Sequence, residues 1–333
     1  MGHKILVTGG SGFIGSHISR SLVECGHTVI NLDIRPPCGE AEWWLKPVSD
    51  RITYVRGGVE TLSDVIAAVK THQPDTIVHT AAVVDLAVLA GRPALAVQVN
   101  VMGSLNILEA SRIFEVNRVV YFSSIAVLPS LQYEPVDVNH PVLLAREGPG
   151  ESFYGAGKVA SEAFFWAYRQ EFGLDFIILR PSAVYGLGQG FPIFIKPMVE
   201  NSVKGLPTRF ETGREFPRDY THVDDIAQLA VNAVELPPDK VQDRIFYGAT
   251  GQPLVTAGEV AEIVKELIPD AEIEIGSGLS EQDLIEMRYR GVLSINNAQE
   301  QLGYMPRFAN LRNGIAHYIE MYRQYLSEEY IKT

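Results

Sequence analysis

Thr8-Gly9-Gly10-Ser11-Gly12-Phe13-Ile14-Gly15 stands where a short apolar run, Lys4–Thr8, meets a stretch of helical periodicity over 13–26. Gly10, Gly12 and Gly15 fit G-x-G-x-x-G, and Gly9, Gly12 and Gly15 also fit G-x-x-G-x-x-G. A strand that turns tightly into a helix needs glycine for the turn, for close approach of the backbone to a pyrophosphate, and for packing of helix on strand. The helix start then offers free N–H groups and partial positive charge to phosphate oxygens. The pattern is weak alone; strand before and helix after within the first 15 residues give it its meaning. The reading is a dinucleotide cradle.

Outward from that turn the chain alternates. Thr28–Asp33 reads as a strand, 34–50 as a loop because it holds three Pro and one Gly, 51–56 as a strand and 61–72 as a helix. Thr76–His79 is a strand, 93–114 a long helix, 118–123 a strand, Ser152–Phe172 a helix and 175–180 a strand. This β-α-β-α rhythm predicts an α/β fold, a Rossmann-type doubly wound parallel sheet with helices on both faces. Continuous apolar runs such as Val119-Val120-Tyr121-Phe122 suit strands buried on both sides. Residues 128–150, with four Pro and two Gly, form a long loop of the kind that is often functional. Beyond about 181 the rhythm loosens, leaving helices near 225–235, 258–267 and 311–325. The expected organisation is an NAD-binding domain over 1–180, with 215–250 returning to it, and a smaller C-terminal α/β substrate lobe over 181–333.

Composition narrows the classes. A chain of 333 residues that is 46% hydrophobic and 20% charged is a folded protein long enough for two lobes. Its net charge of −12 and the lack of any Lys/Arg run argue against nucleic acid or an anionic membrane as partner. Cys25 and Cys38 form no C-x-x-C pair and read as free thiols of a reducing cytosol. The start of the chain lacks the pattern of a secretory signal, and no window reaches 18 consecutive apolar residues, so a cytoplasmic location is expected.

Asp33 ends the second strand, 18 residues beyond Gly15. A carboxylate there accepts hydrogen bonds from the adenosine ribose and repels a 2′-phosphate, which favours NAD over NADP; Arg35, two residues on, weakens that preference. Tyr154 is alone among 14 tyrosines in having Lys four residues later, so Tyr154 and Lys158 share one face of a helix. A phenol of pKa ~10 is a poor base, and lowering it to roughly 7 takes about 4 kcal/mol of preference for the phenolate. The Lys158 ammonium and a positive nicotinamide ring are the expected sources, with Lys158 also holding the nicotinamide ribose. Ser123-Ser124 closes the preceding strand, where ligands of parallel sheets collect, and its hydroxyl can bond the substrate oxygen together with Tyr154.

On these motifs the chain resembles the extended short-chain dehydrogenase/reductase superfamily, in its NAD-dependent epimerase/dehydratase branch of UDP-glucose/galactose 4-epimerase-like enzymes. His79-Thr80-Ala81-Ala82, Asn100-Val101-Met102-Gly103, Phe122-Ser123-Ser124, Glu162 after the Tyr-Lys pair, Leu179-Arg180-Pro181, Val184-Tyr185-Gly186 and 218–225 carry the resemblance over nearly the whole chain. It implies Ser124, Tyr154 and Lys158 as the catalytic trio. It implies cofactor contacts at Gly9, Gly12, Phe13, Ile14, Gly15, Asp33, Ile34, Arg35, Gly58, Val59, Thr80, Ala81, Ala82, Asn100, Ser123, Tyr154, Lys158, Pro181, Ala183 and Val184. Val84, Asp85, Ser124, Arg218 and Arg290 fall on substrate positions; many members hold a nucleotide-sugar diphosphate with arginines, and most are homodimers that pair two helices from each subunit. The implied activity is oxidation of a secondary hydroxyl to a ketone by hydride transfer to NAD, as an epimerase or as a net dehydrogenase of a non-nucleotide sugar, sugar acid or other hydroxy compound. A regulator that senses NAD without chemistry is a remote alternative.

Departures bear on the substrate. Ala183 replaces the Asn that helps hold the diphosphate, Gly58 the aspartate near adenine, Asp85 the serine after the Ala-Ala pair, and Ser294 a late aspartate. Asp85 would repel a phosphate and bind a hydroxyl or amine. His222-Val223-Asp224-Asp225 reads as the start of a helix beginning at Asp225 with Asp224 as its N-cap, rather than as metal ligands. His79 reads as a packed strand-end histidine, and Trp43-Trp44 as packing beneath the 34–50 loop.

Overall fold

The computed structural model describes residues 2–332 except 143, 145, 146 and 192, and the backbone alone for 329–332. Seven parallel strands make the central sheet: β1 (Lys4–Thr8), β2 (Thr28–Asp33), β3 (Ile52–Arg56), β4 (Thr76–His79), β5 (Arg118–Phe122), β6 (Phe176–Pro181) and β7 (Ile245–Gly248). Their spatial order is β7-β6-β5-β4-β1-β2-β3, so the direction of winding reverses between β1 and β4. Ligands of such sheets lie beyond the strand ends at that reversal. The fold is the doubly wound α/β architecture that the alternation predicts.

The apolar runs divide their side chains between two cores. Ile5, Val7, Val78, Val120, Phe122, Ile177 and Leu179 face one side, packed on helix α1 (Phe13–Glu24) and on Val223–Glu235. Leu6, Ile77, Val119, Tyr121, Phe176 and Ile178 face the other, against α2 (Leu62–His72), α3 (Gly103–Ile113) and α4 (Ser152–Phe172). Successive residues of a strand point to opposite faces, so two cores require apolar residues at every position. A third core gathers Tyr185, Ile195, Met198, Val260, Ile315 and Tyr318 around the helices Ile195–Val203, Ala257–Leu267 and Leu311–Lys332.

Three local expectations change. Residues 34–50 are not a plain loop: Glu40–Leu45 is helical and Lys46–Arg51 a 3₁₀ turn, because Leu45 and Val48 are buried and anchor the segment to the core. Pro36 and Pro37 lie before the helix and Pro47 just inside the turn that follows, positions a proline tolerates. Trp43 and Trp44 pack there as expected, Trp44 stacking on His17 with ring centroids 4.3 Å apart. The helix expected over 93–114 is interrupted by a π-helical stretch, Ala96–Met102, which carries Asn100. The C-terminal helix runs past 325 to Lys332.

Candidate active site

The glycine turn leaves β1 at Thr8 and enters α1 at Phe13. Gly9 holds φ +71°, a left-handed conformation costly for other residues. A Cβ on Gly15 would lie 2.1 Å from the Gly9 carbonyl oxygen, so α1 packs against the turn at backbone distance. Gly12 caps α1 with no side-chain hydrogen bond, so no side chain caps the first N–H groups of the helix. The buried Ser11 hydroxyl also lacks a partner. Uncapped donors and an orphaned hydroxyl in a glycine-rich turn fit a pyrophosphate. Asp33, at the end of β2, accepts from the Ser11 N–H at 3.0 Å and the Arg35 N–H at 3.3 Å, so it braces the turn it adjoins. Ile34 and Arg35 are exposed beside it.

The remaining expected cofactor residues lie mostly just beyond the carboxyl ends of β3, β4 and β6. Thr80 Oγ1 donates to the Thr8 carbonyl at 2.7 Å, joining the end of β4 to that of β1. Asn100 spends its amide on Val83, accepting from its N–H at 2.8 Å and donating to its carbonyl at 3.0 Å, which fixes the Ala81–Ala82 backbone's continuation. The Gly58 N–H donates to Asp64, and the Val59 carbonyl accepts from Asn106. Pro181, Ala183 and Val184 lie at and just beyond the end of β6, the last two in a short strand paired with Tyr220–His222. His79 is the packed histidine expected, bonded to Thr8 Oγ1 (2.7 Å) and Ser104 Oγ (3.2 Å), and burial brings it down to about 3.

Tyr154 and Lys158 lie in the first turns of α4, beside the end of β5. Lys158 Nζ donates to the Phe122 carbonyl at 2.6 Å and lies 5.6 Å from the Tyr154 ring centroid. Ser124 accepts from the Ala126 N–H at 3.0 Å, and its hydroxyl lies near enough to the phenol to lower the phenol's pKa. Ser123 is directed elsewhere: its hydroxyl donates to the buried Glu162 at 2.5 Å, and Glu162 also receives Arg180 at 2.6 and 2.9 Å. The electrostatics differ from those expected of the pair. Burial and the Glu151 carboxylate push the Tyr154 phenol well above its usual range, with Ser124 pulling it back. Burial draws Lys158 down to about 7, against the pull of Glu162. In the protein alone, therefore, desolvation is the dominant influence on both groups.

Tyr154 opens on a cavity of about 750 Å³ between the helix Leu86–Gly91, the segments 129–130 and 147–153, Phe191 and the helix Glu281–Met287. Leu89, Phe153, Phe191 and Ile285 supply apolar walls; Glu147, Glu151 and Glu286 supply carboxylates. Asp85 does not line it. Its side chain accepts from the Val88 N–H at 3.0 Å and caps the helix Leu86–Gly91, while Val84 is exposed. Arg218 and Arg290 come together behind the wall, both bonded to Glu286, and the Nε of each is buried without a partner. Sequence reasoning does not single out Glu151 or Glu286. The i, i+4 spacing of Glu286 and Arg290 is the available signal for one; Glu151, at the end of the proline-rich loop, carries none.

The Asp224 reading is corrected. The helix begins at Val223, and its N-cap is His222, whose Nδ1 accepts the Asp224 N–H at 3.1 Å. Asp224 instead accepts from His17 Nδ1 at 2.9 Å. His222, Asp224 and His317 have potential metal-binding atoms within 4.8 Å of one another, a grouping that the sequence, lacking His317's position in space, does not disclose. His222 Nδ1 is used as an acceptor, so Nε2 carries the proton, and it faces His317 Nδ1 at 3.3 Å.

The model of the NAD dependent epimerase/dehydratase family matches residues 5–247. UDP-glucose 4-epimerase of Mycolicibacterium smegmatis is 28% identical over 324 residues, 96% of this chain and 98% of that protein. A dTDP-glucose 4,6-dehydratase of Actinoplanes sp. is 30% identical over 335 residues, 96% of this chain and 98% of that one. Among solved structures, the UDP-glucose 4-epimerase of Thermus thermophilus in complex with NAD matches with a TM-score of 0.77 at 28% identity, covering 96% of this chain and 99% of that chain. No helix among the described residues is long and apolar enough to cross a membrane.

Proposed function

The chain belongs to the NAD dependent epimerase/dehydratase family, and from that premise we propose that it oxidises a secondary hydroxyl of a sugar-like substrate to a ketone, with Tyr154 as acid and base. It is an enzyme, and its cofactor is NAD. The glycine turn and the start of α1 would hold the pyrophosphate, Asp33 the adenosine ribose, and Lys158 the nicotinamide ribose. NAD supplies, when bound, the acceptor of the hydride. Tyr154 takes the hydroxyl proton as the C–H electron pair leaves the same carbon, and Ser124 holds the oxygen from which the proton departs. Lys158, beside the phenol, favours the phenolate while it carries charge.

The observation that supports this most is the placing of Ser124, Tyr154 and Lys158 beside the end of β5, with Tyr154 on the rim of a 750 Å³ cavity. A sensor without chemistry would have no use for a phenol, a buried lysine and a serine gathered there. Return of hydride to the opposite face makes an epimerase; release of ketone and NADH makes a dehydrogenase. Incubation with NAD and a series of UDP-sugars, free sugars and sugar acids separates them by NADH absorbance and by NMR of new epimers. Tyr154→Phe should retain NAD binding and lose turnover by about 10²-fold or more; undiminished turnover overturns the assignment.

The same reading assigns NAD binding to 1–180 with 215–250 and makes 181–333 mainly a substrate-binding lobe, which shares the cavity with 86–90, 129–130 and 147–154. It makes the protein a cytoplasmic homodimer joined through α3 and α4. Ile113 on α3 and Phe164 and Phe172 on α4 are exposed apolar residues in support. Sedimentation of a monomer at micromolar concentration would reject the dimer.

A further inference from the structure

Arg218 and Arg290 are the two cations expected against a diphosphate, and in the fold their charge is already met. Both Nη2 groups donate to one oxygen, Glu286 Oε2, at 3.0 Å from Arg218 and 2.8 Å from Arg290. Arg290 Nη2 also reaches Glu151 Oε1 at 3.4 Å. The arginine side chains are 12% and 5% exposed, and it is Glu286 and Glu151 that face the cavity beside Tyr154. Burial alone would raise Glu286, but Arg218 and Arg290 outweigh it and hold the carboxyl below its usual range.

Glu286 takes a donor from each of the two cations and Glu151 another from Arg290, so this group offers little free positive charge; Arg288, the further cation on the cavity wall, is exposed and donates to the Ile285 carbonyl. A phosphate oxygen that took the arginine donors would strand Glu286 in a buried site with no counter-charge, an arrangement proteins avoid. Leu89, Phe153, Phe191 and Ile285 make part of the cavity's wall apolar.

We propose that the cavity takes an unphosphorylated secondary alcohol, neutral or amine-bearing and apolar on one face, whose polar groups bond Glu286 and Glu151, and that it excludes nucleoside diphosphates. This rests on the oxidation reading above only for which hydroxyl reacts. Glu286 is then the specificity determinant: it fills from within the place a phosphate would occupy.

The test is calorimetric titration of the NAD-loaded protein with UDP. The wild type should fail to saturate in the low millimolar range. Glu286→Gln releases both guanidinium groups, whose Nε–H groups already lack partners, and should bind UDP at least about tenfold more tightly. Micromolar UDP binding by the wild type overturns the proposal, as does a folded Glu286→Gln protein that binds UDP no better. Should that variant not fold, the wild-type titration decides alone. Turnover is read separately. NADH or epimer from unphosphorylated alcohols and none from UDP-hexoses agrees; product only from UDP-hexoses overturns. Product from neither panel counts against the Tyr154 oxidation reading, while the titration still judges this one.

Discussion

Lys158 Nζ donates to the Phe122 carbonyl across 2.6 Å, so the cation of α4 is tied to the last residue of β5 rather than to the phenol one turn earlier. That bond holds the ammonium in a pocket where it is 3% exposed, and burial brings it down to about 7. The sign of the linkage follows. A lysine whose pKa falls on folding binds fewer protons in the folded than in the unfolded chain between about 7 and about 10.4, so stability rises with pH across that window. Lys158→Met, of similar length and without the charge, should remove that rise, worth a few kcal/mol. Thermal unfolding of the cofactor-free wild type and variant from neutral pH to pH about 10 measures it. Parallel profiles would mean that Lys158 is solvated in the folded state.

Glu151 acts on Tyr154 from the other side. After burial, its carboxylate is the largest influence raising the phenol. Oxidation needs the phenolate, so its rate should climb with pH through the Tyr154 pKa. Glu151→Gln removes a negative charge and should move that limb to lower pH by about half a unit to one unit, the scale of a charge pair at intermediate dielectric. A pH–rate profile on a working substrate measures it. A limb that does not move, or moves upward, would remove Glu151 from the electrostatics of the phenol.

What the sequence disclosed follows from what sequence encodes. The strands of the main sheet and the glycine turn were legible because backbone sterics and two-sided burial demand particular residue types at fixed spacing. Tyr154 and Lys158 were legible because one helix carries both. Glu151 was not, since it meets Arg290 only when the end of the 128–150 loop folds over the helix Glu281–Met287, a contact between segments more than a hundred residues apart; Glu286 shares a turn with Arg290, but its bond to Arg218 forms only in the folded chain. The grouping of Asp224 with His17 and His317 escaped for the same reason. Asp85 misled because a carboxylate near a predicted pocket and a carboxylate that caps a helix look alike until the helix Leu86–Gly91 is seen.

Asp33 carries two duties that substitution can separate. It braces the turn through the Ser11 and Arg35 N–H groups, and its charge is the proposed discriminator against a 2′-phosphate. Asp33→Asn keeps the size and much of the bracing but not the charge. NAD affinity should fall by about tenfold, in line with the loss of a charge-assisted hydrogen bond, while NADP affinity holds or improves. Asp33→Ala should likewise narrow the preference. Fluorescence titration with both cofactors decides. If both affinities stay unchanged, Asp33 is not the ribose ligand; if both fall equally, it serves the turn alone.

Glu162 joins the site to the sheet. It accepts Ser123 Oγ and two Arg180 nitrogens, all in the buried layer between α4 and the ends of β5 and β6. Removing one partner of such a pair leaves the other charge stranded, which costs roughly 3–5 kcal/mol, whereas replacing both by apolar residues of similar volume is often close to neutral. Glu162→Gln should therefore lower stability in urea unfolding by several kcal/mol, and a Glu162→Leu/Arg180→Met double variant should recover most of the loss. The double variant should still lose turnover if the pair positions Tyr154 and Lys158, since α4 would no longer be tied to Ser123, the neighbour of Ser124. A recovered double variant with unchanged kcat and KM would make Glu162 a stabilising residue with no part in placing the trio.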